Sequence, residues 1–140
     1  MNTKTPKEIN LGQFTGTTQY FQHRMFPWLQ YTDGIQYMQE VCEAHWLGDA
    51  VGSWIPEVLR KYPEEYLIVF DLEVVEDEIG WKSAVLYIYD DTNEKGQRGE
   101  HYSYKQNIEY TDFPLEKITI YAGMGGIKPT DWVIMLPREK

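Results

Sequence analysis

Apolar and polar residues follow a helical period in the first half of the chain. Between residues 34 and 54 the apolar positions recur every three or four residues, which is typical of an amphipathic helix. Thr32 or Asp33 can cap its start, and Gln36 can complete a capping box. We predict one long helix whose core face carries Ile35, Met38, Val41, Cys42, His45, Trp46 and Asp49.

Short helices are predicted on both sides of this long helix. A helical turn is expected over residues 19–23, capped by the hydroxyls of Thr15 and Thr17. Pro56 suits the first position of a second short helix over residues 57–62.

The second half of the chain is rich in β-branched and aromatic residues, which favours strands. Predicted strands cover residues 66–74, 83–89, 102–110, 117–121 and 132–136. A hairpin loop is expected around residues 76–80, and a longer loop over residues 90–99. The order of elements predicts an α+β fold, with the helices on one face of an antiparallel meander of about five strands. We expect a flexible tail at residues 1–12 and a single domain over residues 13–137.

The net charge of −9 is concentrated in one stretch of the 140 residues. Residues 64–112 hold 13 acidic and 4 basic residues, whereas the rest of the chain is neutral. We predict that these acids form one negative surface, which binds a basic surface of another protein. The residues assigned to it are Glu64, Glu65, Asp71, Glu73, Glu76, Asp77, Glu78, Asp90 and Asp91. Tyrosines on the strands add contact area for such an interface.

Composition excludes several classes of protein. An aromatic content of 15% is typical of a folded domain. Cys42 is the single cysteine, so no internal disulfide forms, and there is no apolar run near 18 residues or secretory leader. We expect a cytoplasmic protein that binds neither membranes nor nucleic acid directly, because such binding needs lysines and arginines. No cofactor is expected, and a homodimer is left open.

Asp49 is the leading candidate for a functional carboxylate, because it falls in the middle of the predicted apolar face. A buried carboxylate needs hydrogen bonds or a nearby charge. It could act as an acid or base beside His45, or it could pin the segment from Thr15 to Thr17 onto the helix by accepting its hydrogen bonds. The second interpretation is favoured, since most buried polar groups have structural partners.

Other possible sites are weaker. Cys42, His45 and Asp49 share a helix face, but a zinc site needs further ligands from another segment. The loop that starts at Asp91 lacks the glutamate of a calcium loop, because Tyr102 occupies its twelfth position. The glycines of residues 123–126 lack the lysine of a phosphate-binding loop.

Several short motifs occur together between residues 11 and 137. They are Gln13-Phe14-Thr15-Gly16-Thr17, Tyr31-Thr32-Asp33-Gly34, Trp46-Leu47 with Asp49, Ser83-Ala84-Val85-Leu86, Tyr110-Thr111-Asp112-Phe113-Pro114-Leu115 and Leu136-Pro137. In this combination the chain resembles a family of small proteins of unknown function found in bacteria, phages and plasmids. Members tend to carry a short Asp-Asp-Gly-Asn turn and a Leu-Pro-Ser-Glu ending, and this chain departs from both. The resemblance implies one conserved domain in a mobile-element setting.

Two functions are compatible with these observations. The favoured one is a non-enzymatic acidic protein that mimics nucleic acid and inhibits a nucleic-acid-binding host defence effector, as anti-CRISPR proteins do. The alternative is a small enzyme or ligand-binding protein. Its site would be built from Asp49, His45, Tyr20 and Tyr31, with Thr15, Thr17, Asp33 and Trp46 nearby.

Overall fold

A computed structural model describes residues 9–14, 19–89 and 102–139 of the chain. The helices are α1 (Asp33–Val41) and α2 (His45–Lys61), with 3-10 turns at Leu11–Gln13 and Pro137–Glu139. The strands are β1 (Phe21–Gln22), β2 (Leu29–Tyr31), β3 (Leu67–Glu76), β4 (Lys82–Tyr89), β5 (Tyr104–Ile108), β6 (Lys117–Met124) and β7 (Trp132–Met135).

The strands of the described residues form one sheet in the order β1-β2-β7-β6-β3-β4-β5. Neighbours pair antiparallel, except that β2 runs parallel to β7. The five predicted strands are present, but the prediction of a long helix and short N-terminal helices on a five-stranded meander is wrong. Residues 21–22 and 29–31 are strands, because they pair with each other and with the C-terminal β7. Such long-range pairing leaves no signal in local periodicity.

The predicted long helix is two helices, separated at Cys42–Ala44, where Glu43 has a φ of 51°. With about 3.6 residues per turn, a straight helix would place the buried residues of α1 and those of α2 on opposite sides. The break turns α2 so that both sets join one core. Those residues are Ile35, Met38 and Val41 in α1 and Leu47, Val51, Ile55 and Val58 in α2.

The predicted short helix over residues 57–62 is the last part of α2, which continues through Pro56. A proline inside a helix removes one backbone hydrogen bond. Pro56 is exposed, so its ring does not disturb the buried side of α2. The prediction that Pro56 starts a separate helix is wrong.

One sheet face packs against the helices, through Ile68, Phe70 and Leu72 of the central β3 and their neighbours on β4, β6 and β7. On the opposite face Val69 is fully buried. Its register partners are Tyr89 and Tyr121, both half-buried. Tyrosine rings thus cover part of the face that the helices leave open.

Glu139 joins the end of the chain to the start of α1. Its Oε1 accepts hydrogen bonds from Thr32 Oγ1 at 2.6 Å and Leu136 N at 2.9 Å. Its Oε2 accepts one from Gly34 N at 3.0 Å. Thr32 is the N-cap of α1, one of the two residues predicted for that position, and Asp33 is the first residue of the helix. Gln36 donates instead to Glu40, at 2.6 Å, so the predicted capping box is absent.

Candidate functional site

The acidic residues assigned to one surface are spread along β3. Glu64 and Glu65 precede the strand, whereas Glu76, Asp77 and Glu78 lie at and beyond its far end. A ten-residue strand is about 33 Å long, so the two groups are at opposite ends of the sheet. Asp90 and Asp91 lie outside the described residues.

Between these ends the sheet face is not strongly acidic. Asp71 is 8% exposed and accepts a hydrogen bond from Thr119 Oγ1 at 2.6 Å. Glu73 is exposed, and its register partner on β6 is Lys117. Lys105 is exposed on β5 opposite Tyr87. The buried Asp71 and the exposed Lys105 therefore leave the middle of this face without excess negative charge, and Glu73 with Lys117 marks the start of the charged far end.

The charge accumulates at the end of the sheet where β3 and β4 meet, which we call the acidic end. It combines the β3–β4 hairpin with the segments that follow β5 and precede β6. Two lysines, Lys82 and Lys117, lie there, and Lys82 Nζ donates to Phe113 O at 2.6 Å. None of the acids forms a salt bridge with a described residue. Those acids are Glu73, Glu76, Asp77, Glu78, Glu109, Asp112 and Glu116.

The acidic end also exposes large apolar side chains. Val75 is 64% exposed, Ile79 87%, Trp81 51% and Tyr110 60%. The Trp81 and Tyr110 rings contact each other, with centroids 5.1 Å apart. Aromatic side chains that remain exposed beside one another are typical of binding surfaces.

The hairpin that presents these side chains is held by Asp77. One oxygen of its carboxylate, Oδ1, accepts hydrogen bonds from Ile79 N at 3.0 Å and Trp81 N at 2.9 Å. Gly80 has a φ of 88°, which favours glycine in this turn. Trp81 Nε1 donates to Glu109 O at 2.8 Å. These bonds position the exposed indole before any partner binds.

A groove of about 950 Å³ opens beside the hairpin. Its walls are the end of β3 and the segment that precedes β6, and both carry carboxylates. The lining residues are Glu73, Val74, Val75, Glu76, Lys82, Pro114, Leu115, Glu116 and Lys117.

A second candidate region centres on His23, which follows β1. This imidazole is 4% exposed, and its Nε2 lies 2.9 Å from Asp49 Oδ1. His23 Nδ1 accepts hydrogen bonds from Met25 N at 3.1 Å and Phe26 N at 3.3 Å. The tautomer that fits these partners carries its hydrogen on Nε2 and donates it to Asp49.

Asp49 lies near the start of α2 but is not one of the buried residues of that helix, and its side chain is 33% exposed. The prediction that it occupies the middle of an apolar face is wrong, because the helix break rotates α2. Its partner is His23, a residue to which no sequence motif pointed. Twenty-six positions separate the two residues, and no local pattern connects them. Thr15 and Thr17, the predicted partners of Asp49, lie outside the described residues.

Asp49 lines a cavity of about 140 Å³ between β1, β2 and the two helices. Three of the four residues proposed for a ligand site line it, whereas Tyr20 is 42% exposed and does not. Gln39 is 2% exposed, and its Nε2 has no hydrogen-bond partner among the residues described. The complete lining is Gln22, His23, Arg24, Tyr31, Gln39, His45 and Asp49.

The remaining predicted residues have packing roles. Trp46 makes an edge contact with Phe113, with ring centroids 6.4 Å apart. Asp33 is the first residue of α1. Tyr104 packs on Trp54 of α2, at 5.3 Å, so it lies on the helix-covered face of the sheet.

Cys42 is buried at the end of α1, and burial raises the pKa of its thiol to about 11. Within the described ranges, no three residues of the ligating types come together to hold a metal ion. The helices in the same ranges are too short or too polar to span a bilayer.

The chain belongs to DUF6876, a family of unknown function whose model matches residues 5–140. No curated protein and no solved structure matches the chain.

Proposed function

We propose that this DUF6876 protein is a non-enzymatic binding protein whose acidic end docks a basic surface of another protein. The observation that carries the proposal is the coincidence of two features in one place. Exposed Trp81 and Tyr110 rings contact each other, and carboxylates that form no salt bridge with a described residue lie on the same hairpin and its flanking segments. Buried aromatic anchors inside a charged rim are the usual composition of a protein interface.

The sign of the charge selects the partner. Seven carboxylates and two lysines give the acidic end a net charge of −5, which repels nucleic acid and anionic membranes. The opposite end of the sheet exposes Tyr66 by 67% and also carries acids, but Lys61 and Lys128 balance Glu64 and Glu65 there. Among the described residues, the larger excess of negative charge beside apolar anchors lies at the acidic end; the opposite end adds one buried carboxylate, Asp131, which accepts hydrogen bonds from Gln30 Nε2 and Lys128 N.

A narrower form of the proposal identifies the partner as a nucleic-acid-binding defence effector. The acidic end would then occupy the groove that normally holds phosphates, and the protein would act as an inhibitor of the anti-CRISPR kind. The negative charge and the mobile-element setting implied by the motif resemblance support this form. It requires that duplex DNA and this protein compete for the same partner.

The test is affinity capture from cells of the native host, followed by measurement of binding to each purified captured protein. Trp81→Ala removes an anchor, and we expect it to weaken binding at least about 30-fold. Glu76→Lys with Glu78→Lys should slow association about tenfold and reduce its salt dependence. Asp77 is left unchanged because it orders the hairpin.

Matched controls lie at the opposite end of the sheet. Glu64→Lys with Glu65→Lys changes the net charge equally, and Tyr66→Ala removes a ring that is at least as exposed as that of Trp81. Both should leave affinity unchanged. Equal losses at the two ends, or binding insensitive to salt, would show that the acidic end is not the docking surface. If DNA does not compete with the captured partner, the narrower form fails while the docking proposal stands.

A further inference from the structure

We propose that the cavity between His23, Gln39 and Asp49 binds a small zwitterion of the α-amino-acid type. The inference is independent of the acidic end, because it rests on different residues on the helix side of the sheet. It begins from hydrogen-bonding groups that the described fold leaves without partners.

Gln39 supplies the first of these groups. Gln39 lines the cavity from α1, and its Nε2 is buried and has no acceptor within the described residues. An unsatisfied buried donor costs about 1 to 3 kcal/mol, so natural structures normally provide it with a partner or a ligand. Arg24 lines the same cavity and forms no salt bridge with a described residue. Both residues line one cavity, Arg24 as an exposed residue, and their N–H groups are of the kind that binds a carboxylate.

Asp49 supplies the complementary charge. His23 holds its Oδ1 at 2.9 Å, and the hydrogen bonds from Met25 N and Phe26 N fix the imidazole. Asp49 Oδ2 has no partner among the described residues. A carboxylate oxygen in that position accepts hydrogen bonds from an ammonium group. His23 therefore acts as a positioning residue for Asp49.

The combination of one arginine and one carboxylate selects a ligand with both charges. A simple anion would be repelled by Asp49, and a simple cation by Arg24. A metal ion is disfavoured because both ring nitrogens of His23 are already bonded to protein groups. Tyr31 and His45 add polar groups at the wall and can bond a hydroxyl or a second donor.

The volume limits the size of the ligand. The cavity measures about 140 Å³, and an engineered cavity of about 150 Å³ holds benzene, which has six non-hydrogen atoms. Molecules of about six to eight non-hydrogen atoms are therefore expected to fit. Among amino acids this range includes alanine, serine, cysteine, threonine, valine and proline, whereas an aromatic side chain exceeds the volume and would leave part of its ring in solvent.

The experiment titrates the full chain with each common L-amino acid, by thermal shift and then by calorimetry. At about 10 mM, one or more of the small amino acids should raise Tm by a few degrees, and phenylalanine and tryptophan should not. Arg24→Ala and Asp49→Asn should each weaken binding at least about tenfold. Arg60→Ala and Glu57→Gln remove an arginine and a carboxylate on the exposed face of α2 and should leave affinity unchanged.

Two analogues of the best ligand test the assignment of the charges. The deaminated acid, which lacks the ammonium, should bind the native protein more weakly than the amino acid does. This difference in affinity should disappear in Asp49→Asn. The carboxamide, which lacks the carboxylate, should also bind the native protein more weakly than the amino acid does. This difference in affinity should disappear in Arg24→Ala. No response to any amino acid, or equal binding of the deaminated acid, would overturn the proposal.

Discussion

The carboxylate of Glu139 should be one of the most important single groups for stability, although it is the penultimate residue of the chain. It is 9% exposed and accepts three hydrogen bonds, from Thr32, Gly34 and Leu136. Two of these donors lie at the N-terminus of α1, where a negative charge is also favoured by the helix dipole. Glu139→Ala removes all three bonds while leaving the donors in place.

The magnitude follows from the number of donors that lose their partner. Each buried donor left unsatisfied costs about 1 to 3 kcal/mol, and water can enter at the chain end and recover part of this. We expect Glu139→Ala to lower the free energy of unfolding by about 3 to 5 kcal/mol. Glu139→Gln retains one acceptor oxygen and should cost about 1 to 3 kcal/mol, because its amide group faces at least one donor.

Urea denaturation of the native protein and three variants measures this series. The third variant, Arg138→Ala, alters the exposed neighbour of Glu139 and should change stability by less than about 0.5 kcal/mol. For a domain of this length, each kcal/mol corresponds to about 3 to 5 °C in Tm. A loss below about 1 kcal/mol for Glu139→Ala, or equal losses for Glu139→Ala and Arg138→Ala, would refute the reasoning.

Three further predictions concern the helices. Gly52→Ala should destabilise the protein by about 1 to 3 kcal/mol, because its Cβ would lie 2.7 Å from the Phe26 ring; an unchanged urea midpoint would contradict this close packing. Cys42, with its pKa raised to about 11 from an ordinary 9.0, should react with thiol reagents only slowly at pH 8. The stability that the buried neutral thiol contributes should be complete below pH 9 and lost as the pH rises towards 11. Cys42→Ala should therefore reduce the loss of stability at alkaline pH. Asp49→Leu leaves the Nε2–H of His23 unpaired and should cost about 1 to 3 kcal/mol more than Asp49→Asn; equal unfolding midpoints would show that this hydrogen bond contributes nothing.

The sequence alone predicted those elements that local pattern controls. The β3–β4 hairpin was expected at residues 66–74 and 83–89 and is found at Leu67–Glu76 and Lys82–Tyr89. Alternating β-branched and aromatic residues specify such strands, and the charged loop between them specifies the turn. The N-cap at Thr32 was likewise readable, because a capping side chain bonds a backbone amide only three residues away.

The candidate sites depended on contacts between distant residues, which the sequence pattern does not encode. The acidic charge was visible in the composition, but its division between two ends of the sheet follows from the path of β3. The meeting of Trp81 with Tyr110 depends on the pairing of β4 with β5.

Tertiary structure alone decided the pairs His23–Asp49 and Thr32–Glu139, which are 26 and 107 positions apart. The motif segments around Thr32 and Leu136 are short and far apart in the sequence, yet together with Glu139 they form one hydrogen-bonded unit. The break at Glu43 was also not predictable from the sequence, because some residues of α2 continue the helical spacing of the apolar residues in α1. Periodicity reports which residues share a face of one element, whereas the burial of polar groups is settled only when separate elements pack together.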